Sequence, residues 1–258
     1  MDEKKHAENV KLFKLKEISA KKGDAQAQYE LACIYDIGKW VERNYEKAFE
    51  WYKKAADQGH TLALYNIGCA YDQGEGVEQN YEEAIKFWKL AHKQGNANSA
   101  YNIGCLYDTG EGVVKSHEEA IKWWKIAHRK GHTKATFNIA CSYKKGQGVN
   151  KDLNKAVKWF KKAAEKGDIK AQFNMGCAYD KGKGVEKNFT EAFKCYEKAA
   201  HKGYVTAQFN VGCAYYKGEG VIQSFEEAFR WWKKAADNGD STAKSNLKLG
   251  VEKGLWAY

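Results

Sequence analysis

The chain has 258 residues, of which 43% are hydrophobic and 29% charged, with no proline and a formal net charge of +10. That apolar content is enough for a packed core, yet no stretch approaches the ~18 uninterrupted apolar residues of a membrane-spanning helix. The start, Met1-Asp2-Glu3-Lys4-Lys5-His6, leads into charged sequence and does not read as a secretory signal.

Residues 1–22 carry Leu12, Phe13, Leu15 and Ile18 among Lys14, Lys16 and Glu17, which predicts an amphipathic N-terminal capping helix. From Gly23 onward the chain repeats itself. Cys33, Cys69, Cys105, Cys141, Cys177 and Cys213 are each 36 residues apart. With Gly23 as position 1, the units are 23–58, 59–94, 95–130, 131–166, 167–202 and 203–238, without insertion or deletion. A fixed period in this range predicts a stacked array in which each unit buries its apolar face against its neighbours. Residues 239–258, with Leu247, Leu249, Leu255 and Trp256, match the first half of a unit and predict a closing helix. The expected fold is all-α: one solenoid over 1–258, with six helix-turn-helix repeats and a half-repeat at each end.

Within a unit, positions 2–15 read as helix A. Positions 5, 6, 9, 12 and 13 share a face, as in Ala63, Leu64, Ile67, Ala70 and Tyr71. Position 10 is always small (Ala32, Gly68, Gly104, Ala140, Gly176, Gly212), predicting close approach of a partner helix. The turn holds two glycines, as in Gly74-Glu75-Gly76-Val77, except that Trp40 replaces the second in the first unit. There the turn is expected to bend differently and expose the indole. Helix B starts at position 22 with Asn44, Asn80, Ser116, Asp152, Asn188 or Ser224, all good N-caps. Glu83, Glu119, Glu191 and Glu227 three residues later predict the reciprocal half of a capping box. Tyr81, Ala84, Ile85, Trp88 and Ala91 mark the buried stripe of helix B, and the aromatic pairs at positions 29 and 30, such as Trp123-Trp124, read as core.

Charge is uneven. Unit 131–166 has nine lysines against Asp152 and Glu165, a net +7, whereas units 23–58 and 59–94 are each −2. Such a stretch is either a solvated face or an attractor of acidic partners or nucleic acid. The cysteines are too regularly spaced along stacked helices to bridge or to converge on a metal, and neither CxxC nor HExxH occurs; His117-Glu118-Glu119-Ala120-Ile121 lacks the second histidine. Reduced thiols and a cytoplasmic location are expected, with no cofactor, no metal and no catalytic constellation.

The segments Asn66-Ile67-Gly68-Cys69-Ala70-Tyr71, Gly74-Glu75-Gly76-Val77 and Phe87-Trp88-Lys89-Leu90-Ala91 resemble the Sel-one-like repeat, a 36-residue relative of the tetratricopeptide repeat, and the pattern recurs in every unit. The resemblance implies a right-handed α/α superhelix with a concave inner face and an adaptor role in assembling proteins. Some secreted relatives carry paired cysteines and bridges within a unit; this chain has one recurring cysteine per unit, and that feature is not carried over. By the same resemblance, the face of helix A opposite its core stripe would line the groove. It offers Tyr65, Asn66, Tyr101, Asn102, Phe137, Asn138, Phe173, Asn174, Phe209 and Asn210 at positions 7 and 8, and Asp72, Asp108, Lys144 and Asp180 at position 14. Asparagine both donates and accepts hydrogen bonds, so a ladder of them could pair with an extended peptide, or could tie one helix to its neighbour.

The leading expectation is a non-enzymatic scaffold that holds a peptide or protein segment. Single-stranded nucleic-acid binding through unit 131–166 is the alternative. Less favoured is a hydrolase, by resemblance to the beta-lactamase activity suggested for some relatives; Cys195, which breaks the aromatic pattern at position 29, would then need a depressed pKa.

Overall fold

A computed structural model describes residues 2–252 and 254, with side chains from Glu8 onward. Leu255, Trp256 and the side chain of His6 lie outside the described residues. The helices are α1 (Asp2–Lys21), α2 (Ala25–Ile37), α3 (Tyr45–Asp57), α4 (Thr61–Gln73), α5 (Tyr81–Lys93), α6 (Ala97–Thr109), α7 (His117–Arg129), α8 (Thr133–Lys145), α9 (Leu153–Glu165), α10 (Ile169–Lys181), α11 (Phe189–His201), α12 (Val205–Lys217), α13 (Phe225–Asp237) and α14 (Ser241–Glu252). No strand occurs among the described residues. The chain forms two compact units, Met1–His132 and Thr133–Tyr258. In each, helix A packs on helix B of its own repeat, and helix B packs on helix A of the next.

Helix A begins one residue later than the sequence predicts, because position 2 caps it. Asp24, Asn96 and Asp168 each accept the backbone N–H three residues on, and His60 accepts from Ala63 N–H through Nδ1. The caps of helix B are as expected: Asn44, Asn80, Ser116, Asp152, Asn188 and Ser224 all accept from the third residue of the helix. The reciprocal half of the capping box is not made. The cap's own N–H instead donates to the position 13 carbonyl of helix A, as from Asn80 to Tyr71 at 2.8 Å and Ser224 to Tyr215 at 3.0 Å. Glu83, Glu119, Glu191 and Glu227 are thereby released to pair with Lys86, Lys122, Lys194 and Arg230.

The close approach at position 10 is made by the position 30 ring of the same repeat. A Cβ on Gly104 would stand 2.6 Å from Trp124 Cδ1, and one on Gly212 would stand 2.5 Å from Trp232 Cδ1. Every tryptophan at position 30 (Trp88, Trp124, Trp232) faces glycine, while the alanines Ala32 and Ala140 face the smaller rings Tyr52 and Phe160. Two indoles also donate to the position 7 carbonyl of helix A, Trp88 to Tyr65 and Trp232 to Phe209, both at 3.2 Å. Position 30 is core as expected, but position 29 is only half-buried. Trp51, Trp159 and Trp231 carry a lysine ammonium over their rings at 4.1, 4.5 and 5.2 Å.

Trp40 does not alter its turn. Its φ of 70° matches the 73° of Gly76 and the 76° of Gly184, so the left-handed backbone is kept in spite of the Cβ. The indole is half-buried, with Lys39 Nζ 4.6 Å from its ring. A Cβ at Gly76 would strike the Tyr45 carbonyl at the start of the preceding helix B, which explains glycine there.

The terminal helices differ in part from expectation. On α1, Phe13 and Ala20 pack against α2, while Leu12, Leu15 and Ile18 face solvent. On α14, Ala243 and Leu247 pack near Trp232, while Leu249 is exposed.

Two outcomes follow from these contacts. Gly104→Ala gains about 1 kcal/mol of helix propensity but overpacks the Trp124 ring at about 1–3 kcal/mol. Trp124 Nε1 is buried without a hydrogen-bond partner, so Trp124→Phe sacrifices packing and no hydrogen bond. In urea denaturation each single variant is expected to be destabilised, and the double variant to be more stable than the sum by about 1 kcal/mol or more. At the α4 cap, the His60 ring stacks on Tyr29 with centroids 4.5 Å apart, Nε2 pairs with Gln26 at 3.0 Å, and burial lowers its pKa below the usual 6.5. A base with a depressed folded pKa supports the fold while neutral, and that support is lost as pH falls from about 6.5 through the folded pKa. Thermal melts from pH 7.5 to 5 are therefore expected to fall more steeply for the native protein than for His60→Asn, which places at this cap the residue found at Asn96.

Candidate functional site

The faces predicted to bind recur from repeat to repeat. They are distributed over joints between successive repeats, and three of these joints hold equivalent clefts. The first lies between α3 and α4, with a volume of about 120 Å³. The second lies between α9 and α10, at about 210 Å³, and the third between α11 and α12, at about 200 Å³. The walls come from positions 23, 26, 27 and 30 of helix B and positions 8, 11 and 12 of the following helix A. In the first cleft these include Ala48, Phe49 and Tyr52 opposite Asn66, Cys69 and Ala70. The rim comes from position 14 of the preceding helix A and positions 15 and 17 of the following repeat. Asp36, Gln73 and Glu75 rim the first cleft; Lys144, Lys181 and Lys183 the second; Asp180, Lys217 and Glu219 the third.

The structure therefore brings three of the predicted asparagines to a residue of the position 14 series. Asn66 shares a cleft with Asp36, Asn174 with Lys144, and Asn210 with Asp180. Asn174 Oδ1 accepts from Lys144 Nζ at 2.8 Å, while its Nδ2 donates to the Lys170 carbonyl at 2.8 Å. Asn102 Nδ2 instead donates to Tyr65 Oη of the preceding repeat at 3.5 Å. Both asparagines thus already tie repeat to repeat.

The position 7 rings are half-buried, and of these only Phe173 lines one of the three clefts. Phe137 lies 5.6 Å from Phe160, Phe173 lies 5.7 Å from Tyr196, and Phe209 lies 6.4 Å from Trp232, between centroids. Tyr101 stacks on His132 at 4.3 Å. Tyr65, Asn138, Asp72 and Asp108 lie outside the three clefts. Burial and nearby Glu111 push the Asp72 carboxyl above its usual range, and Asp108 Oδ1 sits 2.8 Å from His117 Nδ1.

Sequence reasoning missed the contribution of helix B to the cleft walls, because its stripe reads only as core. It also missed position 17. The signal there was a polar or charged residue varying between the turn glycines: Glu75, Glu111, Gln147, Lys183 and Glu219.

The seven cysteines are free and half-buried. Burial pushes the Cys69 thiol up to about 11 and raises Cys105, Cys141, Cys195 and Cys213, so at neutral pH these sulfurs are thiols and poor nucleophiles. Burial, aided by the nearby Cys33 and by Asp36, whose Oδ2 accepts from Tyr52 Oη at 3.0 Å, holds the Tyr52 phenol well above its usual range. Among the described residues no group of three or more His, Cys, Asp or Glu could hold a metal ion, and no helix is long and apolar enough to cross a membrane.

The Sel1 repeat matches residues 25–60, 61–96, 97–132, 133–168, 169–204 and 205–240, the same period as read above with a frame two residues later. No curated protein matches the chain. Among solved structures, the chain is similar to a protective antigen of uropathogenic Escherichia coli strains that displays an SLR fold. The TM-score is 0.89 at 32% identity, covering 94% of this chain, and the chain spans about half (52%) of that antigen's length. It is also similar to a Sel1 repeat protein from Oxalobacter formigenes, with a TM-score of 0.74 and 35% identity over 84% of this chain and 89% of the other. With matched repeats over most of its length, the chain belongs to the Sel1 repeat family, an all-helical repeat solenoid fold whose members generally mediate protein–protein interaction.

Proposed function

We propose that this protein is a non-enzymatic scaffold that holds a segment of another protein along the faces where its repeats join. The observation that carries this reading is the recurrence of one cleft with similar walls and different rims. The walls repeat because packing requires them. The rims change from Asp36, Gln73 and Glu75 to three lysines, although nothing in the packing demands the change. Variation on a constant frame is how an array of equivalent sites acquires selectivity. The raised thiol pKa values and the scarcity of convergent titratable groups support a binding role over catalysis.

Single-stranded nucleic acid is the weaker reading, because the aromatic rings of the lysine-rich repeat are already engaged. Phe160 is buried and Trp159 lies under Lys162, so neither ring is an open stacking platform.

The test is replacement of Asn66, Asn174 and Asn210 together by alanine, followed by affinity capture from the native cell with mass spectrometry. Helical content is expected to stay near native, with only a small drop in melting temperature from loss of the Asn174–Lys144 tie, while recovery of the enriched protein partners falls at least tenfold. Undiminished recovery of every partner would count against the reading.

A further inference from the structure

The three clefts differ most in charge, and the cleft between α9 and α10 stands apart. Its rim is Lys144, Lys181 and Lys183, and no carboxylate lines it. None of the three lysines forms an ion pair among the described residues. Lys144 is nevertheless held in place. Its Nζ donates to Asn174 Oδ1 at 2.8 Å and lies 5.9 Å from the Phe160 ring. Below the ammonium groups the floor is apolar, made by Leu153, Val157, Phe160, Phe173 and Ala178. The volume of about 210 Å³ equals roughly seven waters at ~30 Å³ each. That is room for one large side chain and well short of the ~300–1,000 Å³ typical of small-molecule sites.

We propose that this cleft binds a linear protein segment in which one large apolar residue is flanked on both sides by carboxylates. The apolar side chain enters the cleft and leaves water, while the flanking carboxylates meet the three ammonium groups at the mouth. The net +7 of residues 131–166 adds a long-range field that draws an acidic chain toward it. The corresponding clefts with Asp36 and Glu75, or with Asp180 and Glu219, present carboxylates at the same places and repel such a segment. The proposal deepens the scaffold reading and rests on it, giving one joint a ligand chemistry.

The chain itself supplies the control. Lys144→Asp, Lys181→Gln and Lys183→Glu together transplant the rim of the first cleft, a set of residues the repeat already accommodates at Asp36, Gln73 and Glu75. The probe is a fluorescein-labelled peptide, GDDFDDG, titrated against the whole chain by fluorescence anisotropy. GDDSDDG, GKKFKKG and a labelled oligo-U of matched charge serve as comparators. The native protein is expected to bind GDDFDDG at least tenfold more tightly than GDDSDDG, and added salt should weaken that binding. The transplanted variant is expected to lose at least tenfold for GDDFDDG and to gain affinity for GKKFKKG. Equal binding of GDDFDDG by both proteins, equal binding of GDDFDDG and GDDSDDG, or no binding at millimolar protein would each overturn the proposal. Preferential, rim-dependent binding of oligo-U would overturn it in favour of nucleic acid. The capture experiment reads the scaffold role separately. Loss of partners on changing the asparagines, with the peptide result negative, would leave the scaffold standing and remove only this ligand.

Discussion

The contact on which the architecture depends is the seating of the position 30 ring on position 10 of helix A. It fixes how closely the two helices of a repeat approach, and so where every other side chain lands. The two positions are matched in size: tryptophan lies on glycine at Gly68, Gly104 and Gly212, while Ala32 and Ala140 meet Tyr52 and Phe160. The Gly176 and Tyr196 pair shows that a smaller ring can also use the glycine. Where the indole hydrogen-bonds to the position 7 carbonyl, as Trp88 does to Tyr65, the contact also fixes the register between the helices. Burying a large ring against bare backbone is a strong and specific device, because dispersion is lost with any gap and overlap costs more still.

That seating leaves the second face of helix A to meet helix B of the preceding repeat, and the candidate clefts arise there. Positions 7 and 8 serve both purposes. Their rings and amides join neighbouring repeats, as in Tyr101 on His132 and Asn102 on Tyr65. Asn66, Asn174 and Asn210 also stand at cleft walls. A ligand reaching Asn174 would compete with its bonds to Lys144 and to the Lys170 carbonyl. Positions 14, 15 and 17 change charge from one cleft to the next, and so set the charge of each mouth.

Much of this was legible in the sequence, for physical reasons that can be named. The 36-residue period, the helix B caps and the small residue at position 10 each have a local cause, and each appears where expected. The failures came where a group had two eligible partners. The N–H of Asn80 could have bonded to Glu83 or to Tyr71, and the return of the chain across helix A decides for Tyr71. Trp40 suggested an altered turn because a Cβ disfavours positive φ, yet the surrounding hairpin holds the backbone at 70°. The clefts were out of reach for a related reason. Their walls belong to two helices from different repeats, and period alone does not say which stripes face each other across a joint.

The bond from the helix B cap to the position 13 carbonyl has an evolutionary corollary. Each hairpin is closed by main-chain groups, so the side chains beside the closure are spared from holding it together. Duplicated copies of the unit could then diverge at their mouths one substitution at a time, with little risk of unfolding. A lineage of such proteins can explore new partners by exchanging a few polar residues while inheriting the same frame.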